Sequence, residues 1–266
     1  ATRGIEDLAG LIYTNTPQQK GADIDFQNQP IPMKSAASYY GYFTKDGFMN
    51  FGSLDLNSGD LLVTRGTSFF SATLSSITEN PGDFSHFVLV HKNDVDNKVE
   101  TLESYAQKGG IARYDLDFAL KNENARILWL RPKFKQVAHQ GAEYFYQQIL
   151  AEEKGLKPRT KYDYYMDLKT ENRMTCSEIA YWSYLKASDG KILIPESKSN
   201  MPATLAPILD MAKIPKDPML SPQDMEVDSR FEMLGEFRDY RLVQDSRMRD
   251  AILRGIFSWI NTKNYI

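Results

Sequence analysis

The sequence predicts an α+β fold in which an antiparallel sheet packs against helices. Three observations predict it. Short apolar runs with strand character follow one another from Leu61 to Pro132, joined by tight turns. After Pro132 the apolar spacing becomes helical. The only cysteine of the 266 residues then opens a helix that carries its own capping signal.

The elements follow in order. Residues 6–13 fit a short helix, and the stretch from Pro17 to Pro32 reads as loop. Ser58-Gly59-Asp60 is a turn that leads into the strand LLVTRG. Residues 67–79, TSFFSATLSSITE, read as a helix with a serine-rich face. HFVLVHK from His86 and KVETLES from Lys98 form a hairpin that turns at Asp94–Asn97. IARYDL from Ile111 and ARILWLRP from Ala125 extend the sheet. Ala138, Ala142, Phe145 and Ile149 recur at helical spacing, which predicts a helix over 134–153 that Gly155 ends. A tyrosine-rich link and the cysteine helix follow. Six prolines between Pro195 and Pro222 predict an extended wrap, and a last amphipathic helix covers 246–260.

Composition narrows the function. A chain of this length buries one large core or two modest ones. A net charge of −3 and the lack of a basic run argue against nucleic acid. No apolar run is long enough to span a bilayer. One cysteine and three scattered histidines show no ligand spacing, so neither a metal nor another cofactor is expected. Gly109-Gly110 lacks the helix a phosphate loop needs, and no serine sits in a G-x-S-x-G elbow.

The chemistry centres on TCSEIAYWSY. Thr175 caps the helix, Glu178 reaches back to it, and Cys176 takes the first helical position. The unpaired N–H groups and dipole there favour a thiolate. A lone cysteine so placed is a candidate nucleophile, although an inert buried cysteine fits the same pattern. His86, at the mouth of an apolar strand, is the candidate base. Of the carboxylates on the next strand only one shares its face, and the hairpin register favours Glu103 over Glu100. Tyr162 and Asp163 are candidate cleft residues for a substrate amine or amide.

GDLLVTRGTSFFSATLS, SHFVLV, ETLES and YDYYMDLKTENRMTCSEIAYWSY, in that order, resemble the circularly permuted NlpC-type cysteine peptidases of the YiiX-like branch. LSPQDMEVDSRFEML, from Leu220, resembles that family's closing segment. The likeness covers roughly residues 57–236. It implies a papain-like fold, with Cys176 as nucleophile, His86 as base and Glu103 as the group that orients the ring. It also implies peptides of the bacterial cell wall, or related small amides, as substrates. The chain departs from the pattern at Met166, where an aromatic is usual. It departs again at Phe87-Val88, where a glycine is lost and a narrower cleft beside His86 is expected.

The expected organisation is an N-terminal extension (1–50) packed on the core, a papain-like domain (51–236) and a helical extension (237–266). The leading function is thiol hydrolysis of an amide. The alternatives are a lipid acyltransferase or thioesterase of the lecithin–retinol acyltransferase type, and a silent binding module. Oligomeric state stays open, and export is favoured over a cytoplasmic location.

Overall fold

The computed structural model describes residues 23–24, 30–31, 40–44, 55–75, 83–121, 124–191, 194, 196–197 and 219–263. Three short strands come first: β1 (Asp23–Ile24), β2 (Pro30–Ile31) and β3 (Tyr40–Thr44). β4 (Leu61–Gly66), α1 (Phe69–Leu74), β5 (His86–Lys92), β6 (Val99–Tyr105), β7 (Gly110–Asp115), α2 (Leu116–Lys121) and β8 (Asn124–Pro132) follow. Then come α3 (Lys135–Glu153), β9 (Lys161–Tyr162), β10 (Arg173–Met174) and α4 (Cys176–Ala187). β11 (Glu196–Ser197), β12 (Met219–Leu220), β13 (Phe231–Asp239) and α5 (Tyr240–Lys263) complete the chain. The predicted helix over residues 6–13 lies outside the described residues, as does most of the proline-rich wrap.

Nine strands form one mixed sheet in the order β10-β9-β7-β6-β5-β4-β8-β13-β3. Every neighbouring pair is antiparallel except β9 and β10. Strand alternation divides the core in two. Leu61, Val63, Phe87, Leu89, Leu102, Leu128 and Leu130 pack with α3 and α4. Leu62, Val88, Val90, Ile127 and Trp129 pack with α2 and Phe237. Both faces are covered, which is why β4, β5 and β8 read as continuous apolar runs rather than alternating ones.

The predicted turn at Ser58-Gly59-Asp60 joins these layers. Gly59 has φ +88, and a Cβ there would lie 2.4 Å from the Ala138 backbone. Its carbonyl accepts the buried Tyr184 hydroxyl at 2.7 Å. Asp60 accepts from Trp129 Nε1 at 2.9 Å and pairs with Arg131 at 2.8 Å. One loop therefore ties α3, α4 and β8 together.

Two elements differ from the sequence reading. α2 closes what read as strand after Asp115. β13 enters the sheet between β8 and β3, where a closing segment was expected. Its ladder with β8 shifts register between Met233 and Gly235, and this bulge breaks the period-two pattern. The expected boundary at 236 falls inside this strand. The last helix starts at Tyr240, earlier than expected, directly from β13. β3 sits at the sheet edge, four places from β5 in the strand order.

Candidate active site

The site forms where the ladder between β5 and β6 opens. Their pairing runs from Leu89↔Leu102 to Lys92↔Val99 and does not reach His86. By alternation His86 shares a face with Val88 and Val90, while α4 packs on the opposite face. At the open end, the tip of α4 reaches the ring.

α4 begins as the sequence predicts. Thr175 accepts from the Glu178 N–H, and the Glu178 side chain takes the Thr175 N–H at 2.5 Å. This capping box fixes Cys176 at the first helical position, buried and 7% exposed. Ser104 Oγ on β6 donates to the Met174 carbonyl at 2.7 Å, which pins the entry to the helix against the sheet.

His86 Nε2 lies 2.9 Å from Glu103 Oε2, which leaves Nδ1 for Cys176. Glu103 is fully buried, and every oxygen has a partner. Thr101 Oγ1 donates to Oε1 at 2.6 Å, and the Tyr105 hydroxyl donates to Oε2 at 2.7 Å. Tyr105 also stacks on the His86 ring at 4.7 Å and 24°. The sequence reading found Glu103 but not Thr101 or Tyr105. The signal was present, since positions 101, 103 and 105 share one face of a strand.

Electrostatics follow from this packing. Burial opposes a charged His86, yet the facing Cys176 sulfur, with Glu103 behind, raises its pKa to about 10. Burial pushes the Cys176 thiol up, but His86 outweighs it, aided by the Phe87 N–H and Ser177, so its pKa falls below the ordinary value. The pair thus favours thiolate and imidazolium.

The other candidates sort clearly. Glu100 is the cross-strand partner of His91, and Lys98 and Arg113 hold its carboxylate. His91 is buried, stacked on Tyr146 at 3.8 Å and bonded to Glu143. His139 sits near Asp94 at 3.8 Å. Neither of these histidines lines a cavity with Cys176.

Cys176 and Tyr162 border two cavities. The larger, about 450 Å³, also has His86, Phe70, Phe118 and Lys108 on its walls. The smaller, about 40 Å³, is an apolar notch lined by Leu74, Met166, Leu168, Leu220 and Pro222. Tyr162 is 8% exposed, and burial next to Cys176 raises its pKa far above the usual range, so it stays a hydroxyl.

Asp163 lines neither cavity, which corrects its expected place on the cleft wall. It is 1% exposed, accepts the Tyr165 and Asp167 N–H groups, and pairs with Arg173 at 2.9 Å. Glu178 takes the Leu168 N–H from the other side. Together they hold a loop in which Met166 (φ 53) and Leu168 (φ 51) sit in the left-handed region. Such backbone costs about 1–3 kcal/mol per residue. Here it turns both side chains onto the notch, so Met166 shapes the site. Phe87 and Val88 line neither cavity. They fill the two core layers, so the expected narrowing beside His86 does not arise from them.

Among the described residues, no cluster of three or more His, Cys, Asp or Glu side chains is placed to hold a metal. No helix among them is long and apolar enough to cross a membrane.

No family model matches the sequence, and no curated protein matches it. Among solved structures, the chain is similar to the metalloprotein yiiX from Escherichia coli O157:H7, a DUF1105 protein. The TM-score is 0.51 at 17% identity, over 68% of this chain and 97% of that one. At that identity the likeness is one of fold, over the matched part of the chain.

Proposed function

We propose that this protein is a thiol hydrolase that cleaves a small amide through Cys176, His86 and Glu103. The observation that carries the reading is the chain of contacts from Glu103 to His86 Nε2, with the ring's other nitrogen left for a cysteine at a capped helix start. In this reading the Cys176 thiolate attacks the amide carbonyl, and the C–N bond breaks as His86 gives its proton to the leaving amine. Water then attacks the thioester, His86 takes its proton, and the acid leaves as the C–S bond breaks, restoring the thiolate–imidazolium pair. Glu103 holds the ring and balances its charge. The helix N–H groups at Cys176 and the Tyr162 hydroxyl are the donors for the oxyanion.

Phe70 and Phe118 on the cavity wall give the acyltransferase alternative a place for an apolar chain. One experiment covers both. The protein is mixed with a panel of peptide amides and fatty-acyl esters, quenched in acid, and the Cys176 peptide is read by mass spectrometry. An acyl group on Cys176 with an amide panel member, lost in His86→Ala, supports the hydrolase. Acylation only by fatty esters favours the alternative. No adduct from any member, together with an ordinary thiol reactivity, would sink both.

A further inference from the structure

The larger cavity has an uneven charge. Its walls carry hydroxyls and amides, including Ser68, Ser71, Ser104 and Asn124, and no acidic side chain. Among the described residues that line it, Lys108 is the one charged side chain besides His86 and Cys176. The charges of that pair offset one another and Glu103 is buried behind the ring, so Lys108 is the one exposed, unneutralised charge among the described residues of the cavity wall.

Lys108 is exposed and makes no ion pair among the described residues. Its backbone is held in place all the same. It ends a 3-10 turn, Ala106–Lys108, that follows Tyr105, the residue stacked on His86. Gly109 at φ 75 then folds the chain back into β7. Arg159 Nη2 donates to the Lys108 carbonyl at 3.2 Å, holding the turn and placing a second exposed cation behind it.

We propose that Lys108 selects substrates that carry a carboxylate, held in the larger cavity at a distance from Cys176. This rests on the hydrolase reading and names the class of amide it takes. Lysine is a point charge on a flexible stem, so it tolerates some variation in where the carboxylate lies. A cationic amide meets repulsion from the same wall.

The test needs no turnover. N-bromoacetyl dipeptides alkylate Cys176, the C–S bond forming as C–Br breaks and bromide leaves. Each dipeptide is compared as the free acid and as its C-terminal amide. The free acid is expected to react about fivefold faster, the upper range for an exposed ion pair. The preference should vanish in Lys108→Gln, persist in Lys108→Arg and shrink in about 1 M salt. Equal rates for acid and amide on the wild type overturn the proposal. So does a preference that survives Lys108→Gln, since it then comes from Arg159, His86 or the α4 N-terminus. The parent reading fails in a different way, when both forms react no faster than an ordinary thiol.

Discussion

Tyr105 holds two parts of the site at once: it stacks on the His86 ring and donates its hydroxyl to the Glu103 oxygen that His86 also uses. The ring is therefore fixed from its face and from its edge. A hydrogen bond to a charged group contributes about 1.5–3 kcal/mol. Tyr105→Phe keeps the stack and removes that bond. The expected result is a roughly tenfold slower alkylation of Cys176 at neutral pH, with the melting temperature lowered by several degrees. Glu103→Gln should slow it further, because Gln cannot balance the imidazolium. Glu100→Gln should leave the rate alone, since Glu100 serves Lys98 and Arg113. A loss at Glu100 equal to that at Glu103 would contradict the register.

The pH profile has a definite sign. Below the lowered pKa of Cys176 the sulfur is protonated and unreactive. Between that value and about 10 the pair is charged, and His86 can still give up a proton. Above about 10 the ring loses that proton. Alkylation by iodoacetamide should rise well below the range of a free thiol and then stay flat, while amide hydrolysis should rise and fall again. In His86→Ala burial is opposed only by the Phe87 N–H and Ser177, so the rise should move to higher pH. An unchanged midpoint in that variant would show that His86 does not set it.

Much of the site is written in local pattern. The capping box at Thr175 and Glu178 is a four-residue signal, and period-two alternation together with the hairpin register chooses Glu103 over Glu100. Asp163 was misplaced because its neighbours are set by tertiary structure. Its partners Asp167 and Arg173 lie along a loop whose left-handed residues, Met166 and Leu168, no composition rule marks. β13 escaped for a related reason. Its bulge at Met233 and Gly235 erases the alternation that reveals a strand.

Tyr162 borders both cavities beside Cys176, and its hydroxyl stays protonated. In the proposed mechanism it stabilises the oxyanion, so its effect belongs to the transition state. Tyr162→Phe should lower kcat for an amide substrate by roughly a hundredfold, with KM changing little. Alkylation of Cys176 by iodoacetamide forms no oxyanion, so its rate should hardly move. A parallel fall in both rates would assign Tyr162 to support of the thiolate instead.

The C-terminal helix depends on a buried charge. Arg65 on β4 and Asp250 on α5 meet at 2.5 Å, with side chains 2% and 4% exposed. Burial dominates both groups, lowering the Arg65 pKa and raising that of Asp250. Arg65 Nη1 has no hydrogen-bond partner, so Asp250 is its main compensation. Asp250→Asn leaves the guanidinium buried without a counter-charge and should cost about 3–5 kcal/mol in urea unfolding. Asp245→Asn, on the exposed side of the same helix, should cost under about 0.5 kcal/mol. Replacing the pair by Arg65→Met with Asp250→Leu should recover most of the loss, because an apolar pair needs no desolvation of charge. The effect also reaches the site. Arg249, one residue away, donates to the Thr67 carbonyl just ahead of α1, and α1 carries Phe70 and Leu74 onto the two cavity walls. Asp250→Asn should therefore weaken binding of the bromoacetyl dipeptides while leaving the pH midpoint of Cys176 where it was. A shifted midpoint would mean that α5 acts on the Cys176–His86 pair itself rather than on the wall beside it.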